Sequence, residues 1–328
     1  MKAIQTNPDG TTEGLHIADV KEPSTGDYQV KIAVKAAGIN RADTLQRVGK
    51  YPPPQGTSDI MGLEVSGEVV ETGAGVEKFK IGDRVMALLA GGGYAEYAIA
   101  DLGSVMHVPD NMDFINAAGI PEVFLTAYQA MFLLGNLKKY ETVLIHAGAS
   151  GVGTAAIQLA REAGAKVIVT AGTDEKIHFC KDLGADFAIN YNKESQFDQW
   201  VKQYTDQQGA NLIIDFIGAA YMARNISAAS MDGQIVMLAF MSGMIAHEVN
   251  LGQLLSKRIT LRGSTLRART KEYKADLTHR FQNDFLHLFG QHKLEPIIDS
   301  VYAWEKVGEA HQKIEQNLTI GKVILKVE

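Results

Sequence analysis

The chain has 328 residues, which at roughly 150 residues per domain predicts two domains. Hydrophobic residues make up 46% of the sequence and charged residues 21%, a balance typical of a folded globular protein and not of a disordered chain. The 32 basic and 38 acidic residues give a net charge of −6, so the chain lacks the basic surplus with which a dedicated nucleic-acid-binding protein neutralises phosphates. The composition therefore argues against nucleic acid as a partner.

The first third of the chain predicts β-structure. Residues 30–34 and 65–69 alternate between apolar and polar side chains with a period of two, which is typical of half-buried strands. Glycines recur around them, and the run Tyr51-Pro52-Pro53-Pro54 cannot form a helix. We therefore expect a β-rich domain here.

The middle third alternates between strands and helices. Short apolar strands are predicted at 142–146, 166–170, 188–189, 212–214 and 234–238, and helical patterns follow the first two. This alternation predicts a parallel, doubly wound sheet and an α/β fold class. After about Leu261 the pattern is mixed, and the chain ends in a predicted strand at 322–327.

The strongest motif, His146 to Gly153, leaves a predicted strand and opens a predicted helix. Gly148, Ser150 and Gly153 occupy the three positions of the dinucleotide fingerprint G-x-G-x-x-G, with a serine replacing the second glycine. Small residues there allow a tight turn, close approach of the backbone to a pyrophosphate, and close packing of helix on strand. We predict that a cofactor pyrophosphate is bound by the helix amino terminus and by Gly148, Ser150, Gly151, Val152 and Gly153.

The residues at the end of the next strand indicate whether the site prefers NAD or NADP. An NAD-preferring site places an acidic residue there, about 20 residues after the fingerprint, but residues 170–173 contain no carboxylate. Gly172 leaves space at this point, and Lys176 and Tyr191 are predicted to contact the 2′-phosphate of NADPH. Thr173 is predicted to cap the following helix, with the carboxylates of the next two residues directed at the helix backbone.

Two further groups of residues lie in the second half of the chain. Phe240, Met241 and Ser242 follow the strand at 234–238, at the edge where such sheets bind ligands. The basic run of Arg258, Arg262, Arg267 and Arg269 is predicted to be mostly a solvated face, with approach to the cofactor phosphates as the alternative.

The single cysteine, Cys180, excludes an internal disulfide and a thiolate zinc cluster. Its neighbours at helical spacing predict a buried structural thiol. The first ten residues lack the apolar stretch of a signal peptide, and the sequence has no run of about 18 apolar residues. These features predict a cytoplasmic protein without a membrane-spanning segment.

Eight short stretches carry a resemblance to a known family: Asn40–Asp43, Tyr51–Pro54, Gly62–Glu64, Ile81–Asp83, Gly92–Tyr97, Ile120–Glu122, Leu125–Tyr128 and His146–Gly153. Together they resemble the zinc-independent quinone oxidoreductases of the medium-chain dehydrogenase/reductase superfamily. The resemblance implies a chaperonin-10-like catalytic domain from residues 1–120 and 262–328, with a Rossmann dinucleotide-binding domain at 121–261 between them. It also implies a homodimer joined along the edges of the Rossmann sheets.

The resemblance also indicates whether the protein binds a catalytic zinc ion. Zinc-dependent relatives carry a ligating cysteine where Asn40 stands and a ligating histidine where Leu63 stands, and neither residue present here is a plausible zinc ligand. We therefore expect no metal. Without a Lewis acid, hydrogen bonds and positioning alone must activate the hydride acceptor, which suits quinones and conjugated carbonyls.

The resemblance implies roles for individual residues. It places Asn40 and Thr126 near the nicotinamide, where they are both catalytic and cofactor-binding, and it adds Ile217 to the cofactor site. Tyr51 lies at the mouth of the substrate cleft, where either its hydroxyl or solvent protonates the product. Tyr128 either lines the cofactor groove or packs in the core.

The function predicted is an NADPH-dependent quinone oxidoreductase. A reductase of α,β-unsaturated aldehydes or ketones is the first alternative, and a cofactor-binding structural or RNA-binding protein, like the lens crystallins of this family, is the second. One departure bears on the substrate: bacterial relatives have a second tyrosine where this chain has Leu45.

Overall fold

The structure is a computed structural model that describes residues 1–327. The chain divides into two compact units, with limits at Leu125/Thr126 and Thr265/Leu266. Residues 1–125 and those from 266 onward form what we call the discontinuous unit, and residues 126–265 form the inserted unit. The sequence analysis placed the limits of its two domains a few residues earlier, at 120/121 and 261/262.

The elements are numbered along the whole chain. The strands are β1 (Lys2–Thr6), β2 (Leu15–Asp19), β3 (Gln29–Ile39), β4 (Glu64–Thr72), β5 (Arg84–Leu88), β6 (Tyr97–Asp101), β7 (Val105–His107), β8 (Thr142–Ile145), β9 (Lys166–Ala171), β10 (Phe187–Asn190), β11 (Ala210–Asp215), β12 (Ala229–Met237), β13 (Thr260–Gly263), β14 (Ile298–Ala303) and β15 (Lys322–Lys326). The α-helices are α1 (Arg41–Arg47), α2 (Phe114–Ala117), α3 (Pro121–Tyr128), α4 (Gly151–Glu162), α5 (Asp174–Leu183), α6 (Phe197–Tyr204), α7 (Met222–Ala228), α8 (Leu251–Ser256), α9 (Lys271–Phe281), α10 (His287–Gly290) and α11 (Val307–Glu315). Leu102–Ser104 and Trp304–Lys306 are 3₁₀ turns, and Gln129–Leu134 and Gln282–Leu286 are π-helical.

The discontinuous unit is built on a mostly antiparallel sheet in the order β14-β15-β3-β4-β5-β7, with β6 also paired to β3. As the period-two pattern predicts, the alternating residues Val30, Ile32 and Val34 of β3 are all buried. The last strand, β15, pairs with β3 and so closes the unit with the far end of the chain. The predicted β-rich domain is confirmed.

The inserted unit has a sheet of parallel strands in the order β10-β9-β8-β11-β12-β13. Counted within the unit this order is 3-2-1-4-5-6, the arrangement of the doubly wound dinucleotide-binding fold. The strand order reverses between β8 and β11, so the carboxyl ends of these two strands form the crevice in which such sheets bind ligands. The predicted Rossmann sheet is confirmed.

His146 fixes the chain directly after β8. Its imidazole is fully buried, with Nδ1 2.9 Å from Thr170 Oγ1 and Nε2 2.7 Å from Asn225 Oδ1. Burial lowers the pKa of His146 to about 4, so the ring is neutral at physiological pH. The residue therefore packs the start of the glycine-rich turn against its neighbours.

The stretch Phe114–Leu134 is long and apolar enough to cross a membrane by length and composition alone. Of its most apolar window, 78% is buried inside the protein. This is the pattern of a core helix.

A buried ion pair joins three strands of the discontinuous unit. Lys322 Nζ lies 2.6 Å from Glu64 Oε1, and their side chains are 3% and 0% exposed. The same ammonium donates to Ile39 O at 2.8 Å and to Asn40 Oδ1 at 2.7 Å. The Asn40 amide in turn donates to Glu64 Oε1 at 3.0 Å. A side chain at Gly38 would collide with the Glu64 carboxylate, so a glycine is needed beside the pair.

This geometry predicts a large effect of Lys322→Met. Removing one partner leaves the Glu64 charge buried and uncompensated, which should lower the free energy of unfolding by about 3–5 kcal/mol. Lys326→Met, on the exposed end of the same strand, is the matched control and should change it by less than about 0.5 kcal/mol. Chemical denaturation measures both.

The double variant Lys322→Met, Glu64→Gln should regain part of the stability, because it leaves no unpaired charge. Equal losses in Lys322→Met and Lys326→Met would show that the pair does not hold the unit together.

Candidate cofactor-binding and acceptor sites

The glycine-rich turn ends in a capped helix. Ser150 is the N-cap of α4, and its Oγ accepts a hydrogen bond from the Gly153 N–H at 3.0 Å. A side chain at Gly153 would collide with the carbonyl oxygens of Ala147 and Gly148, so only glycine allows this close packing of helix on turn. Both features fit a turn that presents the amino end of α4 to an anion.

The tight bend of this turn is made by Ala147, a residue that the fingerprint does not single out. Ala147 adopts the left-handed conformation, with φ at +50°. Gly148 instead lies against β9, where a Cβ would come 2.7 Å from Val169 Cβ. A short alanine in a left-handed position carries no composition signal that would have located it.

The end of β9 is free of carboxylates, since the strand ends at Ala171. A Cβ on Gly172 would lie 2.5 Å from the Tyr191 hydroxyl, so the Tyr191 ring occupies the space beside this glycine. Asn192 Nδ2 also donates to Gly172 O at 2.7 Å. Lys176 follows in the first turn of α5, half-buried, and the fold thus brings the predicted cofactor residues Gly172, Thr173 and Tyr191 to one edge of the sheet.

Thr173 caps α5 as predicted, because its Oγ1 accepts from the Lys176 N–H at 3.2 Å. The carboxylate of Asp174 is not directed at the helix backbone, which corrects the expectation from sequence. It accepts from Asn190 Nδ2 at 2.7 Å and from Lys193 Nζ at 2.5 Å, and the Lys193 bond holds the pKa of Asp174 below its usual range. Lys193 is a second cation at this edge that sequence reasoning missed.

The loops after β11 and β12 are joined. Ser242 Oγ donates to Ile217 O at 2.7 Å and accepts from the Ala220 N–H at 2.9 Å. The buried Asp215 carboxylate accepts from the Ile217 N–H at 2.7 Å, and burial raises its pKa to about 6. Beside Ser242, the side chains of Phe240 and Met241 are about half exposed. The three predicted residues 240–242 and Ile217 therefore share the carboxyl edge of the sheet.

The remaining two predicted residues of the inserted unit lie on α3. Thr126 is half-buried, whereas Tyr128 is only 3% exposed and its ring centroid lies 5.2 Å from that of Phe132. The structure therefore places Tyr128 in the core, which was one of the two alternatives left open for it.

In the discontinuous unit, Asn40 is held from every side. Its backbone N–H donates to Asp43 Oδ2 at 2.7 Å, and the other oxygen of Asp43 accepts from the Gly62 N–H at 3.1 Å. Burial raises the pKa of Asp43 to about 6. With the Asn40 amide oxygen bound by Lys322 and its nitrogen bound to Glu64, the side chain has a single fixed orientation.

These residues do not fit a catalytic zinc ion. Asn40 is committed to the buried ion pair, and Leu63, at the second ligand position implied by the resemblance, is a buried aliphatic side chain. Among residues 1–327 no group of three or more His, Cys, Asp or Glu side chains is arranged to hold a metal ion. The donor set of this unit consists of amide, hydroxyl and guanidinium groups.

Tyr51 lies in the same unit and is half-buried. The guanidinium of Arg267 is 5.4 Å from the centroid of the Tyr51 ring, and Arg267 Nη1 donates to Tyr51 O at 3.3 Å. Burial and the nearby Glu122 raise the pKa of the Tyr51 phenol, while Arg267 acts in the opposite direction. Arg267 is 4% exposed, so the prediction that it belongs to a solvated basic face is wrong.

Glu122 is a titratable group that sequence reasoning did not single out. Its backbone N–H donates to Glu64 Oε2 at 2.8 Å, which brings two carboxyl groups close together. Burial, followed by the Glu64 charge, raises the pKa of Glu122 to about 8, so its carboxyl is largely protonated at pH 7. An acid in the first turn of an apolar helix was the only local sign of it.

Comparison with known proteins identifies relatives for both units. Residues 26–110 match the family described as "Alcohol dehydrogenase GroES-like domain", and residues 151–283 match "Zinc-binding dehydrogenase". The quinone oxidoreductase of Homo sapiens is 33% identical over 332 residues, covering 99% of this chain and 97% of that protein.

Solved structures agree with these matches. An NAD-dependent alcohol dehydrogenase is 30% identical, with a TM-score of 0.87 and complete coverage of both chains. A mycobacterial protein complexed with NADPH is 28% identical, with a TM-score of 0.89 and complete coverage of both chains. The fold, the dinucleotide-binding sheet and a full-length relative above 30% identity converge: the chain belongs to the medium-chain dehydrogenase/reductase superfamily and is an oxidoreductase with quinone oxidoreductases among its relatives.

Proposed function

We propose that the protein is an NADPH-dependent quinone oxidoreductase that works without zinc. The observation that carries the proposal is that neither zinc-ligand position implied by the resemblance can hold a metal: the Asn40 amide is bound to Lys322 and Glu64, and Leu63 is a buried aliphatic side chain. Without a metal, hydrogen bonds must polarise the acceptor, which suits one that is already delocalised, whereas alcohol oxidation gains more from a metal-bound alkoxide. The human quinone oxidoreductase, at 33% identity, supports the same acceptor class.

On the acceptor side, the proposal assigns the donor role to Tyr51. The Asn40 amide is bound at its oxygen by Lys322 and at its nitrogen to Glu64, so its part is to shape the site. Among residues 1–327 the Tyr51 hydroxyl has no hydrogen-bond partner, so it can donate to the oxygen on which negative charge develops as hydride arrives. The proton that completes the product then comes from Tyr51 or from solvent.

On the cofactor side, the proposal assigns NADPH to the inserted unit. Bound NADPH supplies the hydride. The amino end of α4 and the turn at 148–153 bind its pyrophosphate, and Thr126, Ile217 and residues 240–242 complete the predicted cofactor set. The carboxylate-free end of β9 and Lys176 favour the 2′-phosphate, because an acid at that place would repel it.

We further propose a cytoplasmic homodimer joined along β13. All four residues of this edge strand are exposed, and Leu251 and Leu255 on the preceding α8 are 70% and 78% exposed. An exposed edge strand flanked by apolar side chains is stabilised when a second copy covers it. Sedimentation equilibrium would then give about twice the mass of one chain.

An acceptor panel tests the function. Purified protein with NADPH should reduce simple ortho- or para-quinones faster than enals or enones, and with NADP⁺ it should not oxidise primary alcohols. Because no zinc takes part, treatment with a strong chelator should leave the turnover number unchanged. Preference for enones would favour the first alternative, no turnover with any acceptor would favour the structural one, and loss of activity on chelation would contradict the proposal.

Lys176→Ala tests the cofactor assignment. A charge-assisted hydrogen bond to the 2′-phosphate is worth about 1.5–3 kcal/mol, and partial solvent exposure reduces it, so we expect NADPH to bind roughly tenfold more weakly. Binding of NADH should not change. Lys181→Ala, on the exposed last turn of the same helix, is the control and should affect neither cofactor. Titration calorimetry measures both, and equal losses for NADPH and NADH would contradict the assignment.

Tyr51→Phe tests the donor role. If the hydroxyl donates only in the transition state, kcat and kcat/KM should fall together, by about 2.7–4 kcal/mol or roughly a hundred- to a thousandfold. Tyr273→Phe is the matched control, because that ring also lies under an arginine, with the Arg269 guanidinium 4.7 Å from its centroid. An unchanged kcat in Tyr51→Phe would show that the residue only shapes the cleft.

A further inference from the structure

Arg267 is the first residue after Leu266, where the chain re-enters the discontinuous unit. Its backbone is fixed by Lys274, whose Nζ donates to Arg267 O at 2.7 Å. Its side chain donates through Nε to Ala90 O at 2.7 Å and through Nη1 to Tyr51 O at 3.3 Å. One buried guanidinium therefore ties together two segments that are far apart in sequence.

The charge of Arg267 is unusual for a buried group. Among residues 1–327 no carboxylate lies within ion-pair distance of its guanidinium, and its Nη2 atom is buried without a hydrogen-bond partner. Burial lowers the pKa of Arg267, and the charge of Asp43 acts in the opposite direction. Without a direct ion pair, burial of this guanidinium costs free energy that two carbonyls, one aromatic face and the more distant Asp43 only partly offset. A purely structural clamp at this place needs no charge, so the charge points to a role for Arg267 beyond packing.

The segment that Arg267 holds has little structure of its own. Gly49 and Gly56, both with left-handed φ, bound what we call the Tyr51 loop (residues 49–56). Three consecutive prolines after Tyr51 have no N–H to donate, so the loop cannot be fixed by its own backbone bonds there. Arg267 supplies the missing tie, because it donates to the Tyr51 carbonyl and covers the Tyr51 ring.

We propose that Arg267 is a positioning residue that acts through Tyr51: it fixes the place of the phenol and, by its charge, strengthens the phenol as a hydrogen-bond donor to the acceptor oxygen. The proposal rests on the proposed donor role of Tyr51. The direction of the electrostatic effect agrees, since Arg267 acts to lower the pKa of Tyr51 against the opposite effects of burial and Glu122. The cation–π geometry at 5.4 Å is close enough for both effects.

A double-mutant cycle tests this coupling. The four enzymes are the wild type, Arg267→Gln, Tyr51→Phe and the double variant, each assayed for kcat and KM with a quinone and with NADPH. Arg267→Gln alone should lower kcat and kcat/KM for the quinone about tenfold or more, with the KM for NADPH unchanged. In the Tyr51→Phe background the same substitution should have less than about a threefold effect, because the group through which it acts is gone.

Two further variants separate positioning from folding. Arg267→Lys keeps the charge but cannot make both hydrogen bonds, to Ala90 O and to Tyr51 O. It should lower kcat partly in the wild-type background and almost not at all in the Tyr51→Phe background. Arg269→Gln removes the similarly stacked guanidinium over Tyr273 and should leave kcat unchanged. NADPH-binding stoichiometry gives the fraction of folded enzyme, by which every kcat is corrected.

The outcomes distinguish the two proposals. If Tyr51→Phe has full activity, the donor role of Tyr51 fails, and the role of Arg267 through it fails with it. If Tyr51→Phe is impaired but Arg267→Gln and Arg267→Lys have the same fold-effect in both backgrounds, the donor role stands and the positioning role of Arg267 is overturned.

Discussion

The discontinuous unit depends on the buried contact of Lys322 with Glu64 and Asn40. Lys322 and Asn40 are 282 residues apart in sequence, yet 2.7 Å separates their side-chain atoms. A sheet assembled from both ends of a chain needs a contact that specifies which strands meet. A buried ion pair can do this, because a different strand register would separate the two charges and leave each buried without its partner. The same contact orients Asn40, so a residue that we propose to shape the acceptor side is fixed by the interaction that closes the sheet.

Besides burial, the carboxylate of that ion pair raises the pKa of a neighbouring carboxyl group, that of Glu122. Glu64 accepts hydrogen bonds from Lys322, Asn40 and the Glu122 backbone. Glu122 lies close to that charge without comparable donors, and its pKa is raised to about 8. A carboxyl beside a buried, ion-paired carboxylate holds its proton more tightly, so the Glu122 carboxyl is largely protonated at pH 7.

Local sequence patterns were enough to predict the architecture of both units and the cap of α5. Alternation in β3, the βα succession of the inserted unit and the Thr173 cap are properties of neighbouring residues, and each appears in the structure. The misses are contacts across long sequence distances. Arg267 looked solvated among other arginines because its partner Tyr51 is 216 residues away, and Asp174 looked like a capping acid because Lys193 lies 19 residues on. Whether a charged side chain is buried depends on tertiary contacts, which a local stretch of sequence does not reveal.

The glycine-rich turn shows what the fingerprint requires in physical terms. Gly153 meets a steric demand that serine or alanine cannot meet, whereas the bend is made by Ala147 in a left-handed conformation. Ser150, in place of the second glycine, takes the N–H of Gly153 with its own hydroxyl. The amides of Gly151 and Val152 lie in the first turn of α4, where helical geometry offers them no acceptor. The serine therefore satisfies one donor internally and leaves these two without an intrahelical acceptor, so the substitution is compatible with the proposed binding of a pyrophosphate.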